Sequence, residues 1–399
     1  MLFSKYLTAC VSLFSMAMAV TISQNTINRG FLNLDIGDIT IEDGVYWSII
    51  DNAISAMAGS LKVGQGSGFY ITSTSSLIAS TVTLLSPLGS LENNGIISFN
   101  ALQSLTAPVY NLVGLSFTNN GEMYLGGDGS VLVPVQSITS ATWDNNGLLV
   151  FYQNTRSTGP VLLGAPLGTI NNNGQICLYN ELYTQTNNIV GTGCITANTD
   201  SSIFFSNTLL NIDPNQTIYL ADSASSLRAT AISVPKTFTV AGFGNGNTIG
   251  LDIPLVNLPP LLDAWDYDAS AGILTLRGAG LLSQNFLIGT GYDNGLFSIT
   301  TDDDLGLLSV PFGAVTYSGP VPNPGIPAAC QPCKTLPDSP GTSATTSTTT
   351  IVSTNSDGSI CTEVDGIVIA TDSQGSWFTT TTTISETCAS NPTTTITST

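Results

Sequence analysis

An Asn-Asn-Gly turn recurs four times at nearly constant spacing, and this period constrains the fold more than any other feature. The four copies are SLENNGIISFN, SFTNNGEMYL, TWDNNGLLVF and TINNNGQICL. Their glycines are Gly95, Gly121, Gly147 and Gly174, so the intervals are 26, 26 and 27 residues. A period of about 20–50 residues is typical of stacked-repeat folds. Asn-Gly is also a strong turn signal, because both residues adopt positive φ at low cost.

The residues beside each turn alternate between apolar and polar, which predicts strands with one buried face. The apolar positions are Leu91, Phe117, Trp143 and Ile170 before the glycines, and Ile97, Met123, Leu149 and Ile176 after them. One repeat cannot bury this face alone, whereas equivalent strands stacked in register can. We therefore predict a parallel β-helix over residues 20–215. The alternative is a β-sandwich with coincidental hairpins, which requires neither the fixed interval nor the matching apolar columns.

The composition excludes several classes of function. Among 399 residues only 9% are charged, the formal net charge is −19, and there is no histidine. The commonest general base and transition-metal ligand is therefore missing. Eight basic residues leave no patch for a phosphate backbone, so nucleic acid is not an expected partner. We expect no catalytic residue, cofactor or metal.

The first nineteen residues have the pattern of a secretory signal peptide. Lys5 precedes an apolar core, and Ala17-Met18-Ala19 has the small-x-small form of a cleavage site. A transmembrane anchor is the weaker alternative, because the apolar run is short and a polar segment follows. The sequence predicts secretion.

Six cysteines remain after the signal peptide, and an even number in an oxidising compartment predicts disulfides. They are Cys177, Cys194, Cys330, Cys333, Cys361 and Cys388. Cys177 falls on an outward position of its strand, so we expect Cys330 and Cys333 to reach back to Cys177 and Cys194. A local Cys177–Cys194 link is the alternative. Cys361 and Cys388 would pair separately. The Cys330-Gln-Pro-Cys333 spacing lacks the second CxxC or histidine that a zinc site requires.

The chain changes character after the repeats. Residues 216–320 contain strands broken by Gly-Asn and Asp-Asn-Gly turns, which predicts a small antiparallel β-domain that covers the open end of the solenoid. Residues 321–341 are a Pro-rich linker with the Cys330/Cys333 pair. Residues 342–399 are rich in Ser and Thr, which predicts a disordered, O-glycosylated stalk with one Cys-containing module. Asn215 begins an N-glycosylation sequon.

An enzyme is the serious functional rival, because parallel β-helices often degrade polysaccharides. Asn198-Thr199-Asp200 matches a short motif of polygalacturonase-like enzymes, and Asp302, Asp303 and Asp304 could supply paired carboxylates. Those enzymes also need a histidine motif, and the triplet has the character of an exposed turn. A calcium site at residues 126–130 (GGDGS) or at the triplet is weaker than a solvated turn.

Taken together, these parts resemble the N-terminal domain of the hyphally regulated (Hyr/Iff-like) cell wall proteins of Candida-type yeasts. The resemblance covers residues 20–333. It rests on the signal peptide, the NNG repeats, FTVAGFGNGNTIGL (238–251), YDASAGILTL (267–276), FLIGTGYDNGLFSI (286–299) and the Cys pair before a Ser/Thr tail.

The resemblance implies a right-handed parallel β-helix followed by an α-crystallin-like β-domain, and display at the cell surface through a glycosylphosphatidylinositol anchor. It also implies an adhesin whose partners are cell-wall glucan or other surface glycans, or host or neighbouring cell surfaces, with a passive wall coat as the alternative. The sequence ends at NPTTTITST without an anchor signal. A fragment of a longer product and a secreted member both fit this ending, so a membrane link rests on the resemblance alone.

Overall fold

A computed structural model describes residues 18–30, 36–78, 80–257, 259, 262–342, 345–354, 360–371 and 377–389. The predicted signal peptide lies outside the described residues except for Met18 and Ala19, which begin the first strand. Within these ranges the chain forms strands and two short 3-10 helices, so the all-β class is confirmed. None of the helices in the described part of the chain has the length and apolarity that a membrane crossing requires.

The strands of the first coils are β1 (Met18–Ile22), β2 (Thr26–Arg29), β3 (Ile36–Ile41), β4 (Tyr46–Ile50), β5 (Ile54–Met57), β6 (Leu61–Val63), β7 (Gly68–Thr72), β8 (Thr81–Asn93), β9 (Ile96–Ala101), β10 (Val109–Asn119), β11 (Glu122–Gly127), β12 (Val135–Asn145), β13 (Leu148–Gln153), β14 (Pro160–Leu163), β15 (Thr169–Asn172) and β16 (Gln175–Tyr179). The later coils contain β17 (Leu182–Gln185), β18 (Asn188–Val190), β19 (Cys194–Asn198), β20 (Ser202–Phe205), β21 (Thr217–Leu220), β22 (Ser226–Ala229), β23 (Thr237–Ala241) and β24 (Thr248–Leu251).

The remaining strands are β25 (Trp265–Asp268), β26 (Ile273–Arg277), β27 (Ser283–Leu287), β28 (Phe297–Asp302), β29 (Val310–Tyr317), β30 (Thr345–Thr354), β31 (Ile360–Thr371) and β32 (Trp377–Ala389). The 3-10 helices are Ala279–Leu281 and Asn294–Leu296.

Two long sheets wrap around one core, as the prediction of a parallel β-solenoid requires. Sheet A follows the order β1-β3-β5-β8-β10-β12-β14-β17-β20-β22-β24-β29-β28, and sheet B the order β2-β4-β7-β9-β11-β13-β16-β19-β21-β23-β27-β26-β25. The long strands of sheet A bend around a corner: β5 pairs with the first half of β8, and β6 pairs with its second half. Each of these coils therefore has three sides, two in sheet A and one in sheet B.

Both predicted apolar columns lie inside the solenoid. Leu91, Phe117 and Trp143 are register partners on successive coils, and Ile170 follows on the next coil at the same distance from its turn. In sheet B the column runs through Ile97, Met123, Leu149 and Ile176. Each of these side chains is at most 3% exposed. The rings of Phe117 and Trp143 lie 4.8 Å apart, so each coil shields the next from water.

The turn glycines have a different role from the expected one. Gly95, Gly121, Gly147 and Gly174 are not among the residues with positive φ. A Cβ on Gly147 would instead lie 2.0 Å from the carbonyl oxygen of Gly121, and a Cβ on Gly121 would lie 2.1 Å from that of Gly95. Glycine is therefore needed because successive backbones approach closely at this corner, and the turns connect two sides of a coil instead of closing hairpins.

The solenoid continues beyond the boundary expected at residue 215. Parallel pairing joins β21 to β23 in sheet B and β22 to β24 in sheet A, and β23 pairs in parallel with β27. The later coils lack the NNG corner but keep inward apolar residues such as Phe238 and Ile249. The NNG motif therefore stops several coils before the solenoid itself ends.

Antiparallel strands close the end of the solenoid, as the small β-domain was predicted to do. This cap comprises β25 to β29: β26 pairs with β27 and β29 pairs with β24. Its aromatic side chains Tyr267, Tyr292, Phe297 and Tyr317 belong to the same buried cluster as the solenoid interior, where Phe243 packs against the last three. The cap therefore extends both sheets and their core. In the tail, β30, β31 and β32 form a separate antiparallel sheet, and a disulfide joins Cys361 to Cys388.

Candidate functional site: the outer faces of the solenoid

The Asn198-Thr199-Asp200 segment, which matches the polygalacturonase-like motif, forms a turn at the end of β19 that an arginine holds in place. Thr199 and Asp200 have φ of 48° and 53°. Asp200 accepts hydrogen bonds from Arg156 Nη1 through its main-chain oxygen at 2.6 Å and through Oδ1 at 3.2 Å. Arg156 also donates to Ser202 Oγ at 2.7 Å and to the Leu305 carbonyl at 3.0 Å. This arrangement fixes a corner of the solenoid, and the Asp200 carboxylate, 55% exposed, contacts Arg156 through Oδ1.

The aspartate triplet attaches the cap to sheet A. Asp302 Oδ2 accepts a hydrogen bond from Arg228 Nε at 2.6 Å, and a second carboxylate oxygen pairs with Nη2. Both side chains are 3% exposed. Burial raises the pKa of the Asp302 carboxyl, with the neighbouring Asp304 carboxylate acting in the same direction and Arg228 opposing both. Asp304 accepts from Ser226 Oγ, whereas Asp303 is exposed. The expected exposed turn is therefore wrong for Asp302, which is buried because it neutralises Arg228.

The GGDGS segment uses its carboxylate within its own turn. Asp128 accepts from the Ser130 main-chain N–H at 3.0 Å and from Asn154 Nδ2 at 3.1 Å. Among the residues that the structure describes, no group of three His, Cys, Asp or Glu side chains is arranged to hold a metal ion.

The outer face of sheet B is covered by the chain itself. Residues 318–342, which we call the return strap, run from the cap back toward the first coils. Their contacts follow the coils in reverse order: Cys330 lies on β19, Cys333 on β16, Lys334 on β11, Ser339 on β7, and Gly341 on β2. The chain therefore enters the Ser/Thr tail at the end of the solenoid where it began.

Two disulfides fasten this strap. Cys177 is joined to Cys333, and Cys194 to Cys330, across 156 and 136 residues. Cys177 packs with Tyr124, Leu148 and Val150 in a small apolar cluster outside the main core. This cluster is buried because the strap covers it. The sequence predicted that Cys330 and Cys333 reach back to Cys177 and Cys194, which the structure confirms, but it predicted neither the individual pairs nor the path of the strap beyond Cys333.

The cap covers the far end of sheet A and leaves the near part open. The loop between β28 and β29 lies over the outer side of β20 and β22, where Arg228 donates to the Leu308 carbonyl at 2.8 Å. In the first part of sheet A, the outward side chains of β5, of residues 81–85 in β8, 109–113 in β10 and 135–139 in β12, and of β14 are exposed or half-buried, except Ser137, which is 7% exposed. We call this surface the open face.

The open face carries no charged residue. Its outward positions are Ile54, Ala56, Thr81, Thr83, Leu85, Val109, Asn111, Val113, Val135, Ser137, Thr139, Pro160 and Leu162. Outward residues of neighbouring strands are register partners: Thr83 pairs with Asn111, and Asn111 pairs with Ser137. On the inward faces of these strands, Leu84, Leu112 and Ile138 are buried in the core. Sequence reasoning did not find this face, although period-2 alternation of small and apolar residues along these strands is a signal for it.

Exposed apolar side chains border the open face on both sides. Leu77, Leu105 and Val131 lie in the loops that lead into its strands, and they are 82%, 51% and 65% exposed. Leu88 and Leu115 lie at the opposite corner and are 88% and 50% exposed. Large exposed apolar patches on soluble proteins are a feature of interaction surfaces.

Asn215, the sequon asparagine, is exposed in the turn before β21. Its Nδ2 atom donates a hydrogen bond to Asp213 Oδ1 at 3.0 Å.

The parallel β-solenoid, its antiparallel cap and the disulfide-fastened return strap place the chain in the class of capped β-solenoid proteins. The family model for the hyphally regulated cell wall protein N-terminal region matches residues 10–340. The chain belongs to this family, as the sequence resemblance predicted.

Three relatives from Candida albicans (strain SC5314 / ATCC MYA-2876) illustrate the similarity. Hyphally regulated cell wall protein 3 is 50% identical over 92% of this chain and 29% of the relative. Cell wall protein RBR3 is 51% identical over 93% of this chain and 24% of the relative. Cell wall protein IFF3 is 47% identical over 95% of this chain and 40% of the relative. The chain thus spans between a quarter and two fifths of these relatives. It is a cell wall surface protein, located outside the cell in the fungal wall.

Proposed function

We propose that this chain is the contact module of a non-enzymatic cell-surface adhesin, and that the open face is the surface that meets another cell or a solid substrate. The observation that carries the proposal is the uncharged, apolar-bordered open face in a chain of formal charge −19. A chain with this charge repels other acidic surfaces, and an uncharged face lowers that repulsion where contact occurs. Flat solenoid faces suit such contacts because they are stiff and extended.

The path of the return strap supports an outward orientation of the module. The strap brings the start of the Ser/Thr tail to the first coils, so the cap lies at the opposite end of the solenoid. Sheet B has ten spacings from β2 to β27 at about 4.8 Å each, which places the two ends about 50 Å apart. A tail fixed to the wall would then hold the cap outermost and the open face along the side of a rod. Many weak contacts between rods would add through avidity.

The arrangement of carboxylates supports a binding role over a hydrolytic one. Glycoside hydrolysis needs two carboxyl groups on either side of the bond that is cleaved. Asp200 and Asp302 are both engaged by arginines, and they attach separate parts of the fold. The relatives are likewise named as cell wall proteins.

Yeast display tests this proposal. The full chain is displayed on a non-adherent yeast through a foreign anchor, beside a variant in which Leu85→Lys and Val113→Lys add charge to the open face. Ser23→Lys and Gln24→Lys, in the exposed turn between β1 and β2, form the matched control with the same added charge. We expect the open-face variant to lose most adhesion to epithelial cells, plastic and other yeast, and the control to retain it.

Equal adhesion of the displayed chain and of cells that carry the anchor alone would contradict an adhesin role and favour a passive wall coat. Adhesion that survives both lysine variants would keep the adhesin but place its contact surface elsewhere.

A further inference from the structure

One column of outward-facing side chains in sheet B is buried along most of its length and becomes partly exposed at Tyr219. The register places Ser48, Tyr70, Ser98, Tyr124, Val150, Cys177, Thr196 and Tyr219 at equivalent positions of successive strands. Every member from Ser48 to Thr196 is at most 8% exposed, because the return strap covers it. Tyr219 is the first half-buried member of this series. The strap stands away from the sheet at this point and leaves a cleft.

The cleft lies between sheet B and the first residues of the strap. Its volume is about 320 Å³, within the range of about 300–1,000 Å³ that is usual for small-ligand sites. Tyr219, Asp222, Asn245 and Pro324 are among its lining residues. A second hollow of about 220 Å³ adjoins it, shares Gly242 and Val321 with it, and contains Tyr292 and Asn323. The two hollows together form a groove that leads toward the cap.

The walls of the cleft are held in place. On one side, Asn247 Oδ1 accepts from the Gly244 N–H at 2.8 Å, and its Nδ2 donates to the Gly242 carbonyl at 2.8 Å. On the other side, residues 320–325 contain three prolines, and the Asn245 N–H donates to the Gly319 carbonyl at 2.8 Å. Prolines restrict the backbone, so little conformational freedom is lost when a ligand binds.

Gly242 lets the Tyr219 ring lie directly against the backbone. A Cβ at this position would be 2.7 Å from Cε2 and 2.9 Å from Cδ2 of Tyr219. One side of the ring is therefore supported by glycine, and the ring remains half-exposed toward the cleft. A supported aromatic ring offers a flat apolar platform beside a polar hydroxyl.

The polar groups around this platform suit hydroxyl-rich ligands. Asp222 is oriented by the Ala224 N–H, which donates to Oδ1 at 2.8 Å, and by the Thr199 N–H, which donates to Oδ2. A carboxylate has about four acceptor positions, so Asp222 can accept further hydrogen bonds from ligand hydroxyls. Asn245 is exposed and supplies both a donor and an acceptor. Among the described residues, neither Lys nor Arg lines either hollow, so an anionic ligand would meet no compensating charge there.

We propose that this cleft binds a neutral oligosaccharide, with a sugar ring stacked on Tyr219 and its hydroxyls hydrogen-bonded by Asp222 and Asn245. The site deepens the adhesin function proposed above by adding a glycan-recognition site distinct from the open face. Asp222 is the single carboxylate among the lining residues of the two hollows, so the site binds a saccharide without the second carboxyl group that hydrolysis requires.

The test titrates the full chain with neutral tri- and tetrasaccharides and follows binding by saturation-transfer NMR and calorimetry. The probes are β-1,3-linked glucose, β-1,4-linked N-acetylglucosamine and α-linked mannose, with oligogalacturonate as the acidic comparison. We expect at least one neutral probe to bind, and Tyr219→Ala to weaken it on the order of tenfold or more. Tyr219→Phe keeps the ring and should stay within about threefold of the parent.

Two further variants separate the cleft from general effects on folding. Asn245→Asp keeps a side chain that tolerates the φ of 56° at this position but removes a donor, so it should weaken binding. Tyr46→Ala removes a half-buried tyrosine near the other end of sheet B and should leave binding unchanged.

Absence of neutral-saccharide binding up to about 10 mM, tighter binding of oligogalacturonate, or unchanged binding by Tyr219→Ala would each overturn the proposal. In these cases adhesion of the displayed chain would still support the adhesin function. Conversely, saccharide binding that depends on Tyr219 in a chain that mediates no adhesion would retain the cleft and reject the adhesin.

Discussion

The side-chain amide of Asn119 donates a hydrogen bond to Oδ1 of Asn145, one coil further along the solenoid, at 2.8 Å. The same bond joins Asn93 to Asn119 at 2.7 Å and Asn145 to Asn172 at 2.8 Å. The four asparagines are fully buried, and the ladder ends where Asn172 donates to Gln216 Oε1 at 3.0 Å. The first asparagine of each NNG turn therefore satisfies a buried polar position by stacking on its own repeat.

Asn119→Ala should lower the free energy of unfolding by about 2–3 kcal/mol, because it removes the donor to the buried Asn145 Oδ1 atom and the acceptor for one of the two N–H groups of Asn93, whose other N–H keeps the Glu122 carbonyl. The second asparagines form a parallel but exposed ladder, in which Asn120 donates to Asn94 at 2.8 Å. Asn120→Ala is therefore the matched control and should cost less than about 1 kcal/mol. Urea denaturation measures both. Equal losses for the two variants would show that burial of the ladder does not matter.

Gly147→Ala should destabilise the solenoid strongly. The added Cβ would lie 2.0 Å from the Gly121 carbonyl oxygen, which is backbone and cannot rotate away. Gly295→Ala provides the comparison, since its Cβ would approach the Asp293 carboxylate at 3.3 Å and that side chain can move. Thermal unfolding followed by circular dichroism should show a large decrease in midpoint for Gly147→Ala and a small one for Gly295→Ala. Similar midpoints would contradict the close backbone approach.

Trp143→Ala should cost about 3–5 kcal/mol, as a large-to-small change in a tightly packed column. Trp143→Phe should cost much less. It retains an aromatic ring against Phe117, and the indole Nε1 atom that it removes is buried without a hydrogen-bond partner. Urea denaturation of both variants tests this. A Phe variant as unstable as the Ala variant would mean that the indole nitrogen has a partner, such as a bound water.

The stability of the protein should depend on pH through Glu181. Its carboxylate accepts hydrogen bonds from Gln136 at 2.7 Å and Gln153 at 2.6 Å, and burial raises its pKa from 4.5 to about 8. The folded state therefore holds a proton that the unfolded state releases. Between about pH 4.5 and pH 8, the stability contribution of Glu181 falls as pH rises.

Glu181→Gln should remove this part of the pH dependence. The buried Oε1 atoms of Gln136 and Gln153 have no hydrogen-bond partner within the described part of the chain, so either amide can turn to accept from the new side chain. The difference in unfolding free energy between the parent and Glu181→Gln should grow from pH 5 to pH 8 in favour of the variant. The Glu42→Gln variant, at an exposed position, serves as the control. A difference that stays constant across this range would show that Glu181 is ionised in the folded protein.

Loss of the strap disulfides should destabilise the solenoid. Each bond closes a loop of more than 130 residues, for which a stabilisation of about 2–5 kcal/mol is typical. Removal of both, by Cys330→Ser with Cys333→Ser, should lower the thermal midpoint and expose the Tyr124 cluster to proteases. Cys361→Ser with Cys388→Ser affects only the separate tail sheet and should leave the solenoid transition unchanged. The reverse order of effects would contradict a stabilising role of the strap.

The sequence alone determined the parts of the fold that repeat. A period of 26 residues with matching apolar positions specified stacked coils and the interior columns through Phe117 and Trp143, because each coil must bury the same face against its neighbour. The family, the extracellular location and the antiparallel cap followed from features that are local in the chain. These predictions are confirmed by the structure and by the relatives.

Only the tertiary structure decided what depends on contacts between distant segments. The path of residues 318–342 over sheet B decides which cysteine of the predicted set bonds to which, buries the Tyr124 cluster, and leaves Tyr219 open, although the register alone treats Tyr124 and Tyr219 as equivalent. Asp302 and Arg228 form a buried pair although they are 74 residues apart in the sequence. Glycine is needed at position 147 because the backbone of the preceding coil, at Gly121, lies directly against it. Sequence periodicity specifies which residues stack, but it contains no information on segments that lie across the stack, because their contacts are made once and leave no repeat.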